Sequence, residues 1–351
     1  MNHAAEHILQ GESALERAIK AAIPPDTARF FMPGHKGLLS YIDVTETYGV
    51  DDLRAPTGII KQAQMRAASA FGAAETFFLT GGSSLGNFAM VYAAHKMSEN
   101  GRIIVNNGCH ASVLNICKLL KIAPIFAKNT YIDEFNISGE VLPSEIERLL
   151  RENPDVCAVL VTSPTYFGVC SDISGISAIC REHGVPLIVD QAHGAHLRFH
   201  PDLPADAMSA GADLCVQSAH KTLPALTQTA YLHRRESSII EAETVQDALN
   251  LFQTTSPSYI FMAALDKARE IMETCGKERL DWLIKRCGEF RGKVRCLEGG
   301  NVDPTRLVFR ANGEHLRKNG VFVEMQDGGN VVCIPTICST YRDFLALEGC
   351  L

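Results

Sequence analysis

Short apolar runs alternate with longer amphipathic stretches through the first two thirds of the chain. Residues 76–80, 102–105, 124–127, 156–162, 186–189 and 212–216 are nearly continuous apolar runs, the pattern of strands buried on both faces. Between them, 60–71, 88–94, a stretch ending near Leu120, 143–151 and 173–182 carry helical periodicity, with Pro143 at a first-turn position. This alternation predicts an α/β fold with a mostly parallel central sheet and helices on both faces. Beyond Leu232 the pattern changes to long helical stretches, 238–252 and 259–286. From Lys293 it changes again, to short strands over 306–310, 321–325 and 330–334 and a closing helix over 342–347. The chain therefore divides into an N-terminal helix and loop segment (1–50), a large domain (51–290) and a small α+β C-terminal domain (291–351).

In open α/β sheets ligands bind at the carboxyl ends of the strands. Here every predicted strand end but one is followed by polar groups: Ser83 and Ser84, His110, Ser163 and Thr165, Asp190 and His193, and Ser218 to Lys221. The stretch Gly81-Gly82-Ser83-Ser84-Leu85-Gly86-Asn87 joins a strand to a helix. Its backbone N–H groups, the helix dipole and two hydroxyls converge on one point, an arrangement that binds anions. It contains neither Gly-x-Gly-x-x-Gly nor a Walker lysine, so dinucleotides and nucleoside triphosphates are poor candidates.

Composition narrows the classes. The net charge of −7 and the lack of a basic patch argue against a nucleic-acid surface. No apolar run reaches the length of a membrane span, and the mixed polar and apolar N-terminus over 1–23 reads as an amphipathic helix and not a signal peptide. A cytoplasmic protein is expected. The twelve cysteines include no Cys-x-x-Cys and sit mostly in apolar segments, so they read as reduced core residues.

The chemistry centres on Ser218-Ala219-His220-Lys221-Thr222, just past a buried strand. A lysine in such a place can form a Schiff base with a carbonyl if its amine loses a proton at working pH. Small hydroxyls and an imidazole beside it suit a phosphate, so the stretch suggests a lysine holding pyridoxal phosphate. Asp190, 31 residues earlier, can keep a pyridine nitrogen protonated and the ring electron-poor. His193 can donate to the ring's phenolic oxygen, His110 can lie against the ring, and Ser83, Ser84, Ser218 and His220 can hold the phosphate. A competing reading takes Asp190, His193, His196 and His200 as ligands of a metal hydrolase; it leaves Lys221 and the Gly-Gly-Ser-Ser turn without a role. The hydroxyls of Thr254, Thr255 and Ser256, before Pro257, read as a helix cap.

Three segments extend this reading: Phe31-Met32-Pro33-Gly34-His35-Lys36-Gly37, Asp190-Gln191-Ala192-His193-Gly194-Ala195-His196 and Ser218-Ala219-His220-Lys221-Thr222-Leu223-Pro224. In this order they closely resemble the ornithine/lysine/arginine decarboxylases, with the likeness running from about Phe30 to Tyr259 and more weakly beyond. The resemblance implies the aspartate-aminotransferase-like fold, fold type I, and α-decarboxylation of a basic amino acid. It implies that Lys221 carries pyridoxal 5'-phosphate, that Asp190 pairs with the pyridine nitrogen and His193 serves catalysis. His110 would stack on the ring, and Gly82, Ser83, Ser84, Ser218 and His220 would surround the phosphate. Thr255 and Ser256 would reach the phosphate of a neighbouring subunit in a homodimer with shared active sites, which displaces their reading as a cap. No metal is expected. Relative to the family pattern, the chain lacks an N-terminal regulatory domain and a further C-terminal domain. Ala111 stands where a lysine is common, and Gln191 where an acid is common. An aminotransferase or C–S or C–C lyase on the same fold, and a non-catalytic cofactor-binding homologue, are the alternatives.

Overall fold

The computed structural model describes residues 11–24, 26–98 and 101–351. The chain begins with α1 (Ala14–Ala22) and α2 (Ile59–Phe71), followed by β1 (Glu75–Leu79), α3 (Gly82–Lys96), β2 (Arg102–Asn106), α4 (Ala111–Leu120) and β3 (Pro124–Ala127). A hairpin of β4 (Asn129–Ile132) and β5 (Ile137–Val141) precedes α5 (Pro143–Glu152), β6 (Val156–Thr162), α6 (Ile173–Glu182) and β7 (Leu187–Asp190). Then come β8 (Leu214–Ser218), the single turn α7 (Ala219–Thr222), β9 (Ala230–Arg234), α8 (Ala242–Phe252) and α9 (Tyr259–Ile271). A π-helical turn (Met272–Gly276) joins α9 to α10 (Lys277–Arg291). The rest comprises β10 (Leu307–Arg310), α11 (Gly313–Lys318), β11 (Met325–Asp327), β12 (Asn330–Cys333) and α12 (Tyr341–Glu348).

The main sheet has the order β1-β9-β8-β7-β6-β2-β3. All its strands run parallel except β9, which is antiparallel to both neighbours. The predicted α/β class and mostly parallel sheet are therefore present. Alternation along each strand assigns the two faces. Ala158 and Leu160 of β6 pack with Ile188, Leu214 and Val216 under α3, α4 and α8. Val159 and Val161 pack with Val189 and Cys215 against Ile146 and Leu149 of α5 and Ile176 of α6. A third core joins α1, α2, α9 and α10 to the small sheet, whose order is β10-β12-β11, through Leu15, Ile60, Leu283, Leu307 and Phe309.

Three of the predicted elements differ locally in the structure. The glycine and serine stretch is not a loop ahead of a helix, because α3 already starts at Gly82. Gly82 has φ +74°, a conformation that glycine adopts without strain. Gly86 lets α3 lie directly on β8, since a Cβ there would fall inside contact distance of Val216 Cγ2 and 2.9 Å from Leu79 Cδ1. The cap of α9 is Ser258, which accepts from the Phe261 amide, while Thr254, Thr255 and Ser256 are exposed before Pro257. In the small sheet the strand begins at Met325, not at Val321, and α11 fills the interval after β10. Of the predicted N-terminal helix, Ala14–Ala22 is helical and capped by Ser13, whereas residues 1–10 lie outside the described residues. All twelve cysteines are free.

Candidate active site

The parallel strands β1, β6, β7 and β8 end at one edge of the sheet, and the predicted polar residues gather there. β7 ends on Asp190 and the adjacent β8 on Ser218. Asp190 is 2% exposed. Its Oδ1 accepts from the Ala192 amide at 3.1 Å, and its Oδ2 accepts from Asn87 Nδ2, in α3, at 2.8 Å. The same Asn87 nitrogen donates to Ser112 Oγ at 3.0 Å, and that hydroxyl lies 2.8 Å from His110 Nδ1. His110 also caps α4, accepting from the Ser112 amide. A hydrogen-bonded chain thus runs from the buried carboxylate to the imidazole. Asn87 was not among the residues read from the sequence, although it lies in the singled-out turn.

Lys221 stands on the single turn α7, with its Nζ 3.1 Å from His193 Nε2. Burial lowers the Lys221 pKa, as does Arg306, while Asp190 and Glu324 oppose the shift. Burial, and then the nearby Lys221 charge, hold His193 well below the ordinary histidine range, so it is neutral at pH 7. With Lys221 donating to Nε2, the His193 proton sits on Nδ1, and that buried nitrogen has no protein partner. A buried donor left unpaired is costly unless a ligand accepts from it.

A second set of groups forms an anion cradle. Ser218 Oγ donates to Ser83 Oγ at 2.9 Å, joining the end of β8 to the first turn of α3. That helix of 15 residues has no side-chain cap, so its first amides are open to a ligand. The hydroxyl of Thr80, two residues earlier, is also buried without a partner. Gln228 Nε2 holds the Thr80 carbonyl at 2.7 Å, and Gln253 accepts from the Thr80 amide at 3.3 Å. His220 Nδ1 lies 3.1 Å from the Thr229 carbonyl. Gly82, Ser83 and Ser84 form that uncapped helix start and Ser218 meets it through Ser83, with His220 two residues beyond Ser218. The unpaired His193 donor, the buried Asp190 and this cradle fit pyridoxal phosphate by the polar groups they present. Thr255 and Ser256 make no side-chain hydrogen bond to this cluster among the described residues.

The metal reading loses its ligands. His196 Nε2 turns to Asp303 Oδ2 at 3.1 Å, and His200 Nε2 to Asp281 Oδ1 at 2.7 Å. Gln191 also faces away from Lys221; its Oε1 accepts from Gln217 Nε2 at 2.7 Å and from the Ala207 amide at 3.3 Å.

Two charged residues, Arg306 and Asp303, escaped the sequence reading because what distinguishes them is burial created by folding. Arg306 is 1% exposed, and neither Nη1 nor Nη2 has a hydrogen-bond partner among the described residues. A buried cation without a partner is expensive, and its planar fork matches a carboxylate. The turn that presents it is fixed by Asp303. The Asp303 amide donates to the Gly168 carbonyl at 2.8 Å, and Thr305 donates to Asp303 Oδ1 through both its amide and its hydroxyl.

Burial pushes the Asp303 carboxyl up, but His196, Arg306 and Thr305 together outweigh it and hold the pKa below the carboxylate range. Such a group adds stability above its unfolded pKa, and that stability is lost as pH falls through the folded value. Asp303→Asn should therefore cost about 3–5 kcal/mol at pH 7. The difference from wild type should shrink below about pH 4. Thermal unfolding midpoints of both proteins across that range provide the measurement, and a gap that widens on acidification would refute the assignment.

Residues 26–323 match the family described as Orn/Lys/Arg decarboxylase, major domain. The chain is 34% identical to an arginine decarboxylase of Bacillus subtilis (strain 168), over 95% of this chain and 75% of the relative. It is 24% identical to a lysine decarboxylase of Hafnia alvei, over 69% of this chain and 34% of the relative. Among solved structures it superposes on the constitutive lysine decarboxylase of E. coli with a TM-score of 0.83 at 19% identity, covering 100% of this chain and 61% of that one. A structure described as SPT with PLP gives a TM-score of 0.66 at 15% identity, over 87% of this chain and 79% of that one. The chain thus spans about three quarters of the arginine decarboxylase and three fifths of the lysine decarboxylase structure. Its sequence match covers most of the chain and its fold is that of fold type I, so the chain belongs to the ornithine/lysine/arginine decarboxylase family.

Proposed function

We propose that this chain is a pyridoxal-phosphate-dependent decarboxylase of a basic amino acid, with Lys221 as the residue that carries the cofactor. The observation that supports this most directly is the partly buried contact between Lys221 Nζ and neutral His193 Nε2 at 3.1 Å, at the same sheet edge as Asp190 and the uncapped start of α3. When bound, the cofactor supplies an electron-poor ring that takes up the charge left at the α-carbon as carbon dioxide departs.

The chain's own residues do the rest. Gly82, Ser83, Ser84, Ser218 and His220 would hold the phosphate. Asp190, oriented by Asn87, would keep the pyridine nitrogen protonated. His110 would flank the ring, and the open Nδ1–H of His193 would donate to the phenolic oxygen. Arg306 would receive the substrate carboxylate and orient it in a site with little water, where lost solvation raises its energy relative to a charge-dispersed transition state. Lys221 would return a proton to the α-carbon, and its depressed pKa suits that exchange at neutral pH.

The active unit would be a homodimer. Thr255 and Ser256, exposed on the chain, would complete the neighbour's phosphate site. The exposed Phe30, Leu38, Leu39 and Tyr48 give such a contact apolar surface to bury. No helix among the described residues is long and apolar enough to cross a membrane. A cytoplasmic location would suit this chemistry.

The test is a product analysis of cofactor-reconstituted protein with arginine, lysine and ornithine. Carbon dioxide and the matching amine are expected in equal amounts. A keto acid would move the chain to the aminotransferases, and no product from any of the three would overturn the reading.

A further inference from the structure

Asn87 lies in α3, fully buried, and its side-chain amide reaches two other elements. Nδ2 donates to Asp190 Oδ2, at the end of β7, at 2.8 Å, and to Ser112 Oγ, in the first turn of α4, at 3.0 Å. Its Oδ1 is buried with no hydrogen-bond partner among the described residues. An orphaned buried carbonyl is destabilising, and an apolar side chain of similar size would avoid that cost. The amide at this position therefore serves the two bonds it makes and not the packing of α3.

One backbone group fixes the direction of the whole network. The Ser112 amide can only donate, and it donates to His110 Nδ1 at 3.2 Å. Nδ1 is therefore the bare nitrogen, and the His110 proton sits on Nε2. The Ser112 hydroxyl, 2.8 Å from the same Nδ1, must then donate to it, which leaves Oγ to accept from Asn87. Asp190 Oδ1 meanwhile accepts from the Ala192 amide, so the far end of the network is anchored on backbone as well.

We infer that Asn87 and Ser112 are positioning residues that hold His110 as its Nε2–H tautomer and tie its ring to the carboxylate of Asp190; this rests on the function proposed above. In that function Asp190 meets the edge of the cofactor ring and His110 meets its face. Both hydrogen bonds of the His110 ring go to Ser112, and His110 is otherwise exposed on the chain, so the orientation of the imidazole depends on that one residue. Through Asn87 the same residue is joined to Asp190. The edge contact and the face contact are thereby set by a single relay that links β7, α3 and α4, and cutting it at either amide or hydroxyl releases the imidazole from the aspartate.

Two measurements test this without turnover. Nitrogen NMR of the cofactor-free protein labelled in histidine, with His110 assigned by its loss in H110F, should show a bare Nδ1 and a protonated Nε2; a protonated Nδ1 overturns the inference. Cofactor-free variants are then titrated with pyridoxal 5'-phosphate. S112A should bind it about tenfold more weakly than wild type, the scale of one lost hydrogen bond, and S112T, which keeps the hydroxyl, should bind within about twofold of wild type. N87L should weaken binding at least as much as S112A, and the N87L/S112A pair should lose no more than N87L alone, since the relay is already cut. Losses that multiply in the pair would make the two residues independent and sink the inference. An S112T that binds as weakly as S112A would sink it too, because the hydroxyl would then not be what matters. If His110 shows the bare Nδ1 and the paired losses fail to multiply, but wild type releases no carbon dioxide from arginine, lysine or ornithine, the relay stands and the decarboxylase reading does not.

Discussion

Lys221→Ala is expected to abolish turnover and to remove the visible absorption of the cofactor-loaded protein. Under the proposed function, two roles are lost with one amine. The covalent tether between protein and cofactor disappears, leaving only the phosphate cradle and Asp190 to retain the ring. The proton donor to the α-carbon disappears as well, and proton transfer by a positioned side chain is worth about 10²–10⁴-fold alone. His193, neutral and 3.1 Å from the missing amine, stays in place but has no tether to offer. A loss of more than about 10⁴-fold is therefore expected. Borohydride reduction of wild type should fix the cofactor to a single peptide containing Lys221. A variant that keeps even a few per cent of the rate, or a label on another lysine, would overturn the assignment.

The second large effect is expected from Asp190→Asn. The substitution preserves size, so the slot beside Asn87 and the Ala192 amide stays filled and the thermal midpoint should shift little. The negative charge is what changes. Asp190 is buried, where a charge acts over a short range of low dielectric and has few competitors. Without it the pyridine nitrogen loses the partner that favours its protonated form, and the ring becomes a poorer acceptor for the charge at the α-carbon. A fall in turnover of about 10²–10³-fold is expected, the scale seen when one preorganised electrostatic group is removed. Steady-state rates at saturating cofactor measure it, with unfolding midpoints as the control. Turnover within tenfold of wild type would show that Asp190 does not face the ring.

The core of the fold was legible because buried parallel strands are apolar throughout and the amphipathic helices between them keep one period. β9 was missed for the opposite reason. Its His233 and Arg234 are buried polar residues satisfied by distant partners, Thr76 and Gln217 for the first and Glu75 for the second, so its apolar run is cut to Ala230–Leu232. The β4–β5 hairpin lies near the surface: β4 has no buried position, and β5 alternates over only five residues. The proposed cofactor residues Lys221, Asp190, His193 and those of the phosphate cradle could be singled out because each lies at or shortly after the end of an apolar run. Arg306 and Asp303 could not, since what distinguishes them is burial created by folding. Asn87 belongs to the same class. Its amide acquires meaning only when α3 lies across the end of β7.

The reversed direction of β9 has a consequence for Lys221. Parallel neighbours must be joined by a long crossover, whereas antiparallel ones can be joined by a short loop. β8 and β9 are antiparallel, so only Ala219 to Thr229 separate them, and Lys221 sits in that short loop. The loop is clamped at its root, where Ser218 pairs with Ala230 and the Ala219 amide donates to the Thr229 carbonyl at 3.1 Å. Its Cα is thus a fixed pivot with little slack. When the amine leaves His193 for the substrate, the travel must come from the four methylenes of the side chain, and the lysine's working range is the sweep of its own stem.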